Sequence, residues 1–123
     1  MIRTIVIALA LSFAAAVPAF ADSAIVRGLD KHTGHAQDYS LPIGRPVRIG
    51  TLDVVARACQ KSAPEEAPEV KIYVEVYDHP PPAQAGQPAP PRVEIFHGWL
   101  FASSPGLNGL QHPVYDIWAI DCR

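Results

Sequence analysis

The residues best equipped for chemistry lie near the C-terminus, in GWLFASSPGLNGLQHPVYDIWAIDC, Gly98 to Cys122. Ser103, Ser104, His112 and Asp116 are the residue types of a nucleophilic triad, in which a histidine takes the serine proton and an acid orients the ring. The surroundings argue against it. Neither serine sits in G-x-S-x-G, and the order Ser, His, Asp is compressed into a loop and one strand. No catalytic residue is assigned. The plainer expectation is a fastener: Ser103 or Ser104 caps a short helical turn near 104–110, Pro105 opens it, and Leu107 and Leu110 drop into the core.

Metal chemistry has its candidates in DKHTGH, where His32 and His35 are flanked by Asp30 and Asp38. Imidazoles at such spacing could take zinc or copper. The pair lies in a turn without a nearby cysteine, however, and His79, His97 and His112 have no spacing that forces convergence. A solvated turn is expected, with no metal and no cofactor. In SAPEEAPE, Glu65, Glu66 and Glu69 belong to a proline-punctuated loop whose carboxylates diverge into water. They lack the apolar setting that raises the pKa of a general acid.

Four aromatic residues form a candidate binding surface: Tyr73, Tyr77, Trp99 and Trp118. Such side chains stack on sugar rings or anchor partner proteins. Both tryptophans lie inside strands that look buried, so core packing is the expectation for them. Tyr73 and Tyr77 share the wet face of an alternating strand with Lys71 and Glu75 and are the stronger surface residues.

The elements that must position these residues are strands. In VKIYVEVY, Val70, Ile72, Val74 and Val76 face one way and Lys71, Tyr73, Glu75 and Tyr77 the other. AIVRGL (Ala24 to Leu29), RPVRIG (Arg45 to Gly50) and TLDVVARAC (Thr51 to Cys59) read as further strands. RVEIFHGWLFA (Arg92 to Ala102) and VYDIWAIDC (from Val114) are apolar on both faces, the usual mark of central strands. DKHTG and LPIG supply turn residues. The segment His79 to Pro91 has six prolines in thirteen residues. It cannot pair in a sheet and should project as a stiff spacer joining two strands of a hairpin. Six to seven short strands in one domain predict an all-β fold, an antiparallel sandwich or a partly open barrel.

The N-terminus sets the compartment. Residues 1–21 combine an early arginine, an apolar run from Ile5 to Val17 and Ala-Phe-Ala before Asp22, the pattern of a cleaved secretory signal. The run is too short for a membrane span, and no membrane insertion is expected after cleavage. Residues 22–123, about 100 in number, make one domain. The full chain carries a net charge of −2 with its basic residues scattered singly, which argues against nucleic acid as a partner. Cys59 and Cys122 both enter an oxidising compartment at a spacing far from CxxC, so a disulfide between them is expected.

At RGLDKHTG, VRIGTLDVVARAC, PEEAPE and the C-terminal segment quoted above, the chain resembles the domain-of-unknown-function 2155 family, small exported proteins of bacteria. The resemblance covers nearly all of Leu29 to Cys122. It implies a single β-rich exported domain with the two cysteines in place, and it brings no substrate, cofactor or catalytic residue. His32 and His35 are not associated with the family's turn, and the proline-rich loop is longer than its usual one. The functional expectation is a periplasmic, non-enzymatic domain that binds or supports another envelope component, protein or glycan. The alternatives are a small-ligand or carbohydrate-binding module using Tyr73, Tyr77, Trp99 and Trp118, and a hydrolase using Ser104 and His112.

Overall fold

Alternation at period two places every second side chain of a strand on the same face, and a strand with one apolar face must bury it against another sheet. The computed structural model describes residues 22–123, and the expected signal segment, 1–21, lies outside the described residues. Seven strands form: β1 (Ser23–Asp30), β2 (Ala36–Pro42), β3 (Pro46–Ile49), β4 (Leu52–Lys61), β5 (Val70–Asp78), β6 (Val93–Phe101) and β7 (Tyr115–Cys122). They pair antiparallel in a three-stranded sheet, β2-β1-β7, and a four-stranded sheet, β3-β4-β5-β6. Between them lies one core. Val26, Leu41, Ile117 and Ala119 meet Leu52, Val54, Ile72, Val74, Val76 and Leu100, with no polar side chain buried among the described residues. Two separate sheets make this a sandwich.

Two strand assignments need correction. β6 and β7, apolar on both faces in sequence, stand at sheet edges. The second apolar face of each is half-exposed and carries a tryptophan. The loop from 102 to 114 shields part of the β6 edge, where the Asn108 side-chain amide donates to the Trp99 carbonyl at 3.1 Å. It fits there because position 98 is glycine. A Cβ on Gly98 would stand 2.8 Å from that same nitrogen. An edge covered this way offers fewer backbone groups to a stray strand. The second correction concerns β2. LPIG reads as a turn, yet Leu41 and Pro42 close strand β2, with Leu41 fully buried, and only Ile43 and Gly44 turn.

The sheets are also fastened covalently. Cys59 near the end of β4 bonds Cys122 at the end of β7, with Cα atoms 5.8 Å apart. Beside the bridge Lys61 pairs with Asp121 at 2.9 Å, a second link between the sheets. At the opposite end Gly50 and Thr51 connect β3 to β4 in a two-residue hairpin. Gly50 takes a φ of +61° there, the glycine-first composition of a type II′ turn. The proline-rich segment joins the paired strands β5 and β6, as the hairpin reading requires.

Segment 103–110 contains no helix. The Leu107 N–H donates to the Ser104 carbonyl at 3.0 Å and closes a single turn. Leu110 is buried in the core, but Leu107 is 70% exposed. Two glycines and an asparagine around Leu107 favour turns over helix propagation, so nothing carries its side chain inward.

Candidate binding surface

The triad residue types are drawn to different partners. Ser103 donates through its hydroxyl to Glu69 Oε2, and its backbone N–H reaches Glu69 Oε1 at 3.1 Å. Those bonds, the hydroxyl's first, hold the Glu69 carboxyl below the usual glutamate range. His112 is placed elsewhere. Its Nδ1 accepts the backbone N–H groups of Val114 (3.0 Å) and Tyr115 (3.2 Å), which leaves the proton on Nε2, 3.2 Å from Asp78 Oδ2. Both ring nitrogens are therefore occupied by structural bonds. Glu69 lies just before β5 and Asp78 at its far end, roughly 30 Å apart at about 3.3 Å per residue. Asp116 pairs with Lys31 at 3.2 Å. No proton relay connects Ser103 or Ser104 with His112 and Asp116. The C-terminal stretch acts as a fastener, and Glu69, read in sequence as a solvated carboxylate, is one of its anchors.

The aromatic candidates fare differently. β5 buries its valines and Ile72, so Lys71, Tyr73, Glu75 and Tyr77 stand on the outer face of the four-stranded sheet. Register sets Tyr73 opposite Trp99 and Lys71 opposite Phe101. The Tyr73 and Trp99 rings meet edge to face, with centroids 5.4 Å apart and planes at 78°. The Lys71 ammonium lies 5.7 Å from the Trp99 ring centre, within reach of a cation–π attraction. Tyr77 continues the row. Its hydroxyl donates to Glu75 at 2.8 Å, and the Arg92 guanidinium lies over its ring at 4.2 Å. Arg57 reaches the same Glu75 at 3.2 Å. The hydrogen bonds from Arg57 and Tyr77 lower the Glu75 pKa, and Glu75 in turn raises that of the Tyr77 phenol.

Trp118 does not join this row. Its neighbours Ile117 and Ala119 are buried, so its indole emerges on the outer face of the three-stranded sheet. It lies opposite Arg27, which pairs with Asp38 through two bonds of 2.7 and 3.2 Å. Neither tryptophan packs in the core. A cross-strand register creates the Tyr73–Trp99 contact and separates the two tryptophans, and no local pattern in either strand carries that register.

The histidine turn is exposed. Asp30 Oδ1 accepts the N–H groups of His32 (2.9 Å) and Thr33 (3.3 Å), and the His35 ring bonds Gln37 at 3.2 Å. Among the described residues, no group of three or more His, Cys, Asp or Glu side chains is placed to hold a metal ion. Nor is any helix there long and apolar enough to cross a membrane.

Fold and surface together define a disulfide-fastened β-sandwich with an aromatic face, of the kind that persists in oxidising compartments. The chain belongs to the family described as "Uncharacterized protein conserved in bacteria (DUF2155)", whose pattern matches residues 24–122. It is similar to "Uncharacterized protein RP359" of Rickettsia prowazekii (strain Madrid E), with 22% identity over 94 residues, 76% of this chain and 56% of that protein. The chain thus spans little more than half the length of that relative. No solved structure matches it.

Proposed function

We propose that this protein is a non-enzymatic binding domain of the bacterial periplasm, docking on or supporting another cell-envelope component through the outer face of its four-stranded sheet. The Tyr73–Trp99 pair carries the reading. Two large aromatic side chains stand half-exposed on a rigid sheet, locked against each other and against Lys71. A partner that buries them recovers their apolar area at little cost in side-chain order, which is why tyrosine, tryptophan and arginine dominate interface energetics. The disulfide supports an oxidising compartment, and the pattern of residues 1–21 supports export.

The test is a photo-cross-linking residue placed at position 73 in cells, with position 40, exposed on β2, as the control. A discrete adduct from position 73 that disappears with Trp99→Ala supports the reading. Adducts at equal yield from both positions, or none from position 73, overturn it.

A further inference from the structure

Away from the aromatic face, the β1–β2 turn, the β3–β4 turn and the start of β7 converge at one mouth of the sandwich. They enclose an open cleft of about 440 Å³ whose walls include Leu29, Asp30, His35, Tyr39, Ile49 and Tyr115. That volume lies within the range of small-molecule sites, which are mostly apolar with a few convergent polar groups.

Glycines shape its walls. A Cβ on Gly50 would fall within the Tyr115 ring, and one on Gly28 would stand 3.0 Å from the Tyr39 ring. Each tyrosine lies close against backbone that only glycine leaves open.

Among the lining residues Asp30 is the one carboxylate, and no lysine or arginine joins it. Its Oδ1 is taken by the two turn N–H groups. Its Oδ2 has no donor among the described residues, because the neighbouring Lys31 turns its ammonium to the His112 carbonyl at 2.7 Å and to Asp116 at 3.2 Å. The lining thus combines a carboxylate that keeps one oxygen free of hydrogen-bond donors among the described residues with Tyr39, Tyr115, His35 and aliphatic side chains. Carboxylates and aromatic faces share one ligand preference: both attract cations.

We infer that this cleft binds a primary ammonium carried on a short apolar stem, with the ammonium on Asp30 Oδ2 and the stem along Tyr39 and Tyr115. A lysine side chain of a partner protein and an ethanolamine headgroup both present that chemistry.

The experiment follows the Tyr39 and Tyr115 ring resonances of the mature protein while n-butylamine, or its uncharged isostere n-butanol, is titrated in. Saturable shifts with butylamine, at least tenfold weaker with butanol, are expected. Asp30→Asn keeps the oxygen that accepts from the turn but loses the charge, and should weaken butylamine at least tenfold. Absence of saturable shifts, equal response to butanol, or an unchanged Asp30→Asn variant would overturn the assignment. With the amine site supported, tighter binding of N-acetyl-lysine methylamide than of phosphoethanolamine assigns it to a protein partner, and the reverse order to a lipid headgroup.

Discussion

The Asp53 carboxylate on β4 lies 2.6 Å from the His79 imidazole, and this contact ties the first residue of the proline-rich loop to the sheet. Arg92, just past the loop's other end, reaches the same carboxylate oxygen at 3.6 Å. Arg48 holds the second oxygen at 2.8 Å. Both ends of an otherwise exposed segment therefore converge on one side chain. The loop leaves the sandwich from a fixed base, although its own prolines can make no ladder bonds.

That base is sensitive to acid. The hydrogen bond from His79, and after it the bond from Arg48, hold Asp53 below the usual aspartate range. A carboxylate whose folded-state pKa is depressed contributes stability that is complete above its unfolded value, about 3.9, and is lost as pH falls through the folded value. The urea midpoint should therefore drop below about pH 4. Asp53→Asn should lower stability at pH 7 by about 1–2 kcal/mol and make that acid limb shallower. An acid limb of unchanged slope in the variant would show that Asp53 has no share in it.

The bridge between Cys59 and Cys122 spans a sequence separation of 63 residues. In the chain-entropy treatment, a loop of that size stabilises the fold by about 4 kcal/mol. Cys122→Ala, made together with Cys59→Ala to avoid a stray thiol, should lower the urea midpoint accordingly and expose the chain to protease. A midpoint equal to that of the oxidised protein would refute the fastening role.

Gly50 meets two demands at once: a φ of +61° and a Tyr115 ring lying where a Cβ would be. Gly50→Ala should cost about 2–3 kcal/mol. In a Tyr115→Ala background the collision is gone and only backbone strain remains, about 1 kcal/mol. A double-mutant cycle by urea denaturation measures the difference. Strict additivity would mean that the ring yields without cost.

The adjacent serines separate structure from chemistry. Ser103 bonds Glu69 through both its hydroxyl and its N–H, so Ser103→Ala should cost about 1 kcal/mol. Ser104→Ala, whose structural bonds run through its backbone, should stay within about 0.5 kcal/mol of wild type. Equal losses at both positions would contradict the Glu69 anchor.

Much of the sandwich is legible before any coordinates. Val70 to Tyr77 declares its buried and wet faces by alternation alone, and β5 keeps that division. β2 is harder to read, because AQDYSLP has only Tyr39 and Leu41 to mark a face and ends in a proline. Its membership depends on a cross-strand partner, Arg27 opposite Asp38. The apolar character of β6 and β7 points to central strands, yet both stand at edges. An edge strand beneath a covering loop carries the same composition as an interior one.

By itself the sequence determines the strand class, the turns that glycine permits and the pair of cysteines open to bridging. Each of these rests on residues a few positions apart or on a residue type alone. Only the tertiary structure decides that Tyr73 and Trp99 touch while Trp118 faces away. It also decides that Ser103 and His112 are bonded at opposite ends of β5, and that Asp30, Tyr39 and Tyr115 share a cleft. Those relationships depend on strand order and register across long connections, and closing such connections is a property of the whole chain.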